Sequence, residues 1–281
     1  MKLARIGLAG VERPAIIDAD GLARDLSGHV ADVDGATLAP ERLAELAAID
    51  LASLPVIEEP MRFGPPVAGT GKIICIGLNY TDHAAEVGLP VPTEPTIFMK
   101  GCRLTGPNDE VRLPRNAEKG DWEVELGIVI GQGGLYIEEA DALDHVAGYC
   151  LLNDVSERSY QMERAGQWTK GKSFPGFAPI GPWLVTRDEI GDAGNLGVWL
   201  EVNGHRYQNG TTRNLVFGVR EIVSYVSQFY ALEPGDLIAT GTPAGVGLGQ
   251  KPPVFLKAGD IVKLGIDGLG VQQQHIRRWD D

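Results

Sequence analysis

Hydrophobic and polar positions alternate with a period of two along Trp122–Ile130. Trp122, Val124, Leu126, Ile128 and Ile130 fall on one face, and Glu123, Glu125 and Gly127 on the other. That is the pattern of a strand with one apolar side turned to a core. Ile73–Gly77 and Ala147–Asp154 read as further strands, and Leu3–Leu8 and Ala15–Asp18 as an edge pair meeting at a turn near Glu12–Pro14. Helical spacing is sparser. It predicts helices over Pro40–Ile49, with Leu43, Leu46 and Ala47 on one face, and over Asp82–Val87, closed by Gly88 as the residue just past its end. It predicts a main helix over Leu215–Tyr230, whose stripe is Val219, Ile222, Val223, Val226 and Tyr230. Val155–Gln161 opens another helix. Asn203-Gly204 signals a type I′ hairpin between Val198–Val202 and His205–Tyr207. Gly131–Gly134 reads as a hairpin turn into more strand at Leu135–Ile137. Pro234-Gly235-Asp236 and Ala258-Gly259-Asp260 each precede an apolar strand. Many short strands and few helices predict an α+β class rather than a doubly wound sheet. Phe63-Gly64-Pro65-Pro66 breaks regular structure as a linker does, separating a small α/β domain, residues 1–70, from the remainder, 71–281.

Composition narrows the function. With 281 residues, 43% of them hydrophobic and 22% charged, the chain is long enough for a sizeable core without metal or disulfide staples. Its formal charge of −13 argues against a sequence-blind hold on nucleic acid and against anionic membrane surfaces. An anionic substrate stays open, because a bound metal reverses the local field. No stretch approaches the roughly 20 apolar residues of a membrane span, and the first residues carry no apolar core of signal-peptide length. Cys75, Cys102 and Cys150 fit neither a disulfide framework nor a cysteine zinc site, which points to the cytoplasm.

The candidate chemistry begins at Glu123 and Glu125, about 7 Å apart along one strand face at ~3.3 Å per residue. Alone, this pair is the solvated face of an edge strand. Neighbouring carboxylates also repel unless a cation sits between them, and hard divalent cations take such ligands. Asp154, at the end of the apolar run Val146–Leu152, adds a third carboxylate and suggests a facial Mg²⁺ or Mn²⁺ site. Arg158, one turn on, suits a substrate carboxylate; its bland alternative is an ion pair with Asp154. His83 and Glu86, three apart on a short helix, suit a general base with its orienting carboxylate, or else a surface pair. The surrounding turns suggest that residues 79–92 form a mobile lid. Lys172 is a candidate for stabilising an enolate or carboxylate. The run Ile238–Gly247 offers backbone N–H groups and threonine hydroxyls to an anion, but is neither a Walker loop nor a dinucleotide turn.

Taken in order, these segments resemble the fumarylacetoacetate hydrolase family from about Lys72 to His275. The carrying motifs are Gly-Leu-Asn-Tyr-x-x-His-x-x-Glu, Phe98-Met99-Lys100, Trp-Glu-x-Glu-Leu, Asn-Asp-x-Ser-x-Arg, Lys-Ser-Phe and Thr-Gly-Thr-Pro-Ala-Gly-Val. The resemblance implies a mixed β-roll, a homodimer, and Mg²⁺ or Mn²⁺ on Glu123, Glu125 and Asp154. It also implies a lid carrying His83 and Glu86, with Lys172 as a catalytic lysine and Arg158, Gln161 and Thr242 toward a small anionic keto acid. Pro175 stands where the family often has aspartate after Lys-Ser-Phe. The implied reaction is hydrolysis of the C–C bond of a 2,4-diketo acid, such as 2,4-diketo-3-deoxy-L-rhamnonate or -fuconate, to pyruvate and a second acid. Ureidoglycolate cleavage, oxaloacetate decarboxylation and diene-dioate isomerisation or hydration are the alternatives on the same metal site.

Overall fold

A computed structural model describes residues 1–58 and 62–280. Its strands are β1 (Lys2–Ile6), β2 (Arg13–Ile17), β3 (Ala23–Asp25), β4 (Ile73–Gly77), β5 (Thr96–Met99), β6 (Val111–Leu113), β7 (Gly120–Asp121) and β8 (Val124–Ile130). There follow β9 (Val146–Asn153), β10 (Ser156–Glu157), β11 (Leu184–Thr186), β12 (Gly197–Val202), β13 (His205–Thr211), β14 (Leu237–Ala239), β15 (Ile261–Ile266) and β16 (Gly270–Arg278). The α-helices are short: α1 (Pro40–Ala47), α2 (Thr81–Glu86), α3 (Arg158–Met162), α4 (Thr169–Lys172), α5 (Arg187–Ile190) and α6 (Val219–Val226). The class is α+β.

A nine-stranded sheet runs β3-β2-β1-β11-β9-β8-β14-β4-β5 and is antiparallel except where β14 lies parallel to β4. A five-stranded sheet, β13-β12-β15-β16-β6, packs on one of its faces. There Trp122, Val124, Leu126, Ile128 and Ile130 join Leu200, Val262 and Leu264, with Ile222, Val223 and Val226 of α6, in one core. The alternation in the sequence therefore assigns the faces of β8 correctly. The opposite face packs Val129, Cys150, Leu152 and Leu237 against Leu26, Val33, Leu38 and Leu46 from the N-terminal region. β1 is hydrogen-bonded to β11, so the first strands extend the large sheet, and Gly64 N–H donates to the Arg5 carbonyl. No helix among the described residues is long and apolar enough to cross a membrane.

Several elements differ from expectation, each for a local reason. The strand expected over Trp122–Ile130 breaks at Trp122 and Glu123. Glu123 N–H donates to the Asn153 side chain at 3.2 Å instead of a ladder carbonyl, and β7 turns away to pair with β10. The helix expected from Val155 begins only at Arg158, because Ser156 and Glu157 form β10. The main helix spans Val219–Val226 rather than Leu215–Tyr230, since Val216 N–H donates to the Asn79 carbonyl and the Asn79 side chain holds both backbone groups of Phe217. Leu135–Ile137 is not a strand. Tyr136 sits at φ 55°, and Gly134 exchanges backbone hydrogen bonds with Leu232. The Asn203-Gly204 hairpin is present, with both residues at positive φ.

Candidate metal centre and active site

The site lies where β4, β9 and β14 end and β8 begins. Glu123 immediately precedes β8, Glu125 is its second residue, and Asp154 follows the last residue of β9. Pairing of Val124 with Asn153 brings the three carboxylates together, so that one oxygen from each lies within 4.8 Å of the others. All three are buried. Their counter-charges are buried too. Lys172 Nζ donates to Glu123 Oε2 at 2.6 Å and Asp154 Oδ2 at 2.8 Å, Lys100 Nζ donates to Asp154 Oδ1, and Arg158 Nη1 lies 2.7 Å from Glu123 Oε1. Among the described residues no cation pairs with Glu125; its Oε2 accepts from Gly241 N–H at 2.9 Å.

The electrostatics follow from that division. Burial alone would raise the Glu123 carboxyl, but Lys172 and Arg158 outweigh it and hold it at about 2. Burial and the charges of Asp154 and Glu123 push Glu125 well above the usual carboxylate range. Burial works against the charge of Lys172, yet Asp154 and Glu123 raise its pKa above the ordinary lysine value.

His83 reaches the same cavity from α2. Its Nδ1 lies 3.1 Å from Glu86 Oε2, and Glu86 Oε1 accepts from Gly245 N–H at 2.8 Å. The dyad is thus fixed to the loop after β14. Asn79 and Tyr80 are fully buried and Ala84 is too, so the first half of the segment expected as a mobile lid is anchored. Its second half, with Leu89 and Val91, is exposed.

The sequence over residues 72–277 matches the family model for the C-terminal domain of fumarylacetoacetate hydrolase. The chain belongs to the fumarylacetoacetate hydrolase family. A protein of Burkholderia lata, named only as a hydrolase, is 57% identical over 279 residues, covering 99% of each chain. Maleylpyruvate hydrolase from Sphingobium sp. SYK-6, solved with manganese(II) and pyruvate, is 29% identical, with a TM-score of 0.82 over 99% of each chain. 5-Carboxymethyl-2-hydroxymuconate delta-isomerase from Mycobacterium smegmatis is 30% identical, with a TM-score of 0.77 over 99% of each chain.

The residues expected to face a substrate are placed less simply than their types suggest. Arg158 does not pair with Asp154. Its Nε donates to Asp121 Oδ2 at 2.8 Å and its Nη1 to Gln161 Oε1 at 3.0 Å, while its Nη2 is buried without a hydrogen-bond partner. One nitrogen of the guanidinium, Nη2, is therefore left for a ligand. Gln161 and Thr242 line the cavity, but the Thr242 hydroxyl donates to Val124 O and accepts from Gln208, which leaves it no free proton. The loop after β14 does bind anions through its amides, and those anions are the protein's own. Gly241 N–H serves Glu125, Gly245 N–H serves Glu86, and Gly247 and Leu248 N–H serve Asp121 at 2.6 and 2.9 Å. Gly245 has no alternative, because at φ 109° a Cβ would lie 2.0 Å from the Tyr207 carbonyl oxygen.

Asp121 and Lys100 join the carboxylate cluster without a spacing signal of their own, though Lys100 closes the run Phe98-Met99-Lys100. Asp121 collects four donors, counting Trp122 N–H, and fixes Arg158. Its only mark in the sequence is an acid directly before Trp122.

The donor set fits a divalent cation. Asp121, Glu123, Glu125 and Asp154 outnumber the buried cations Lys100, Arg158 and Lys172 by one, and the unbalanced charge falls on Glu125. A cation bound there has to displace a proton from Glu125. The sign of the pH effect follows. Without metal, folded Glu125 keeps a proton that the unfolded chain releases near the ordinary value of 4.5. The metal-free fold therefore loses stability as pH rises from that value toward the raised one. The rise in Tm on adding Mn²⁺ is expected to grow between pH 5.5 and 8, and Glu125→Gln to flatten that trend. Differential scanning fluorimetry in chelator and in Mn²⁺ measures both. A pH-independent increment would mean that Glu125 is already ionised in the metal-free protein.

Proposed function

We propose that this protein hydrolyses the C3–C4 bond of a 2,4-diketo acid, releasing pyruvate and a second carboxylic acid. The observation that carries the reading is one cavity, about 240 Å³, lined by His83, Glu123 and Glu125, with Glu86 bonded to His83 and Asp154 completing the carboxylate cluster. The Sphingobium relative's complex with manganese(II) and pyruvate supports the product class. Mg²⁺ or Mn²⁺ on Glu123, Glu125 and Asp154 would supply Lewis acidity toward the 2-keto oxygen and its carboxylate.

The chain's own groups do the rest. With Glu86 accepting from Nδ1–H, the His83 Nε2 lone pair faces the cavity and takes a proton from water. The hydroxide adds to C4. The C3–C4 electron pair then leaves as pyruvate enolate, whose charge Lys172 stabilises. The proton held by His83 returns to C3, so atoms and charge balance. Arg158 Nη2 donates to the C1 carboxylate, and Gln161 fixes the guanidinium. Sugar-derived diketo acids with a neutral acyl group, such as 2,4-diketo-3-deoxy-L-rhamnonate or -fuconate, fall within this class. We further propose that it works as a homodimer in the cytoplasm.

The test is coupled detection of pyruvate over a panel of 2,4-diketo acids with Mg²⁺, with ureidoglycolate, oxaloacetate and 5-carboxymethyl-2-hydroxymuconate alongside. Pyruvate release from the diketo acids is the expected result. An absorbance change with the muconate and no pyruvate from any diketo acid would replace hydrolysis by isomerisation, as in the Mycobacterium smegmatis relative's name.

A further inference from the structure

On the reading above, one end of the cavity receives a 2-keto acid, and the opposite wall decides what else that acid carries. Phe98 joins the two ends. Lys172 Nζ lies 5.2 Å from the centre of its ring, and Trp168 packs edge-on against it at 5.4 Å. Trp168 in turn fills the space over Gly77, where a Cβ would lie 2.5 Å from Cζ3 of the indole. Leu248 continues this wall. Leu89 and Met162 also line the cavity and are 51% and 46% exposed, a large apolar surface left open to water.

Charge on this side is as telling. The basic side chains lining the cavity are His83, Arg158 and Lys172. Arg158 is held by Asp121 and Glu123, and Lys172 by Glu123 and Asp154. His83 is held by Glu86. The unpartnered guanidinium nitrogen, Arg158 Nη2, suits the carboxylate next to the keto group. Among the described residues that line the cavity, none offers a second cation. A carboxylate at the far end of the substrate would lose water there without gaining a partner.

We propose that this site selects 2-keto acids whose distal group is an uncharged alkyl or aryl chain, and rejects those ending in a second carboxylate. The apolar wall and the exposed Leu89 and Met162 are then covered by substrate, which makes the bound state drier than the free one.

The test separates this selectivity from the hydrolase reading by using 2-oxo acids that lack the 4-keto group and so are not cleaved. Titration calorimetry on the full chain with excess Mg²⁺ compares 2-oxobutanoate, 2-oxohexanoate, 2-oxooctanoate and the dicarboxylate 2-oxosuberate. Affinity is expected to rise about fourfold per added methylene until the chain reaches the mouth. 2-Oxooctanoate is expected to bind at least about tenfold more tightly than 2-oxosuberate, of equal length. Met162→Lys and Leu89→Lys, both at exposed positions, each bring an ammonium to the mouth and are expected to narrow that gap. Equal or tighter binding of 2-oxosuberate by the unaltered protein, or no binding of any of the four, overturns the proposal. If the order holds but no acylpyruvate is cleaved, the hydrolase reading falls and the selectivity stands. If hexanoylpyruvate and succinylpyruvate are bound and cleaved alike, the selectivity falls and the hydrolase reading stands.

Discussion

His83→Ala is expected to lower diketo-acid hydrolysis by about 10²–10⁴-fold, the range for a lost general base. His83 is not among the carboxylate ligands, so Mn²⁺ affinity is expected to hold. A further readout separates proton transfer from simple positioning. Oxaloacetate decarboxylation, which needs no attacking water, is expected to fall far less than hydrolysis where the protein catalyses it. Equal losses in both reactions would mean that His83 holds substrate instead. Glu86→Gln tests the other half of the pair. It keeps one oxygen to accept from Nδ1–H or from Gly245 N–H, not from both, and removes the charge, and a loss is expected.

The second large effect is on metal binding. Glu125→Ala removes the one carboxylate of the cluster that no cation neutralises. Changes to outer-shell groups alone cost about 10–100-fold in metal affinity, so losing a direct ligand is expected to exceed that range. The metal-free fold is expected to keep its Tm, because the substitution removes the cost of burying a carboxyl beside Glu123 and Asp154 while Lys100, Arg158 and Lys172 keep their partners. Titration of free Mn²⁺ by EPR reads the affinity directly. An unchanged affinity with an intact fold would remove Glu125 from the metal site.

Much of this site is legible along the chain because it depends on local periodicity. The alternation at Trp122–Ile130 turns Glu125 to the face opposite the core, and the three-residue spacing puts His83 and Glu86 together on α2. What the chain conceals depends on distant partners. Nothing near Trp122 announces that Asn153 replaces a ladder bond and lets the strand bend. Nothing near Leu215 announces that Asn79 has claimed the backbone where a helix would start. Lys100 looks like a strand-end lysine until Asp154 arrives from the end of β9. The loop after β14 shows the same limit from another side. Its glycines signal accessible amides, but which anion the amides meet is a property of the assembled fold.

That loop divides its labour between two kinds of atom. Its backbone holds the carboxylates of Glu125, Glu86 and Asp121, while Val246 and Leu248 line the cavity. Mutation replaces side chains and leaves amides in place. A few codons of this loop can therefore change the cavity wall while the backbone contacts beneath it stay in place. On the proposed function, exchange of residues 246 and 248 is expected to be a short route from one keto acid to another.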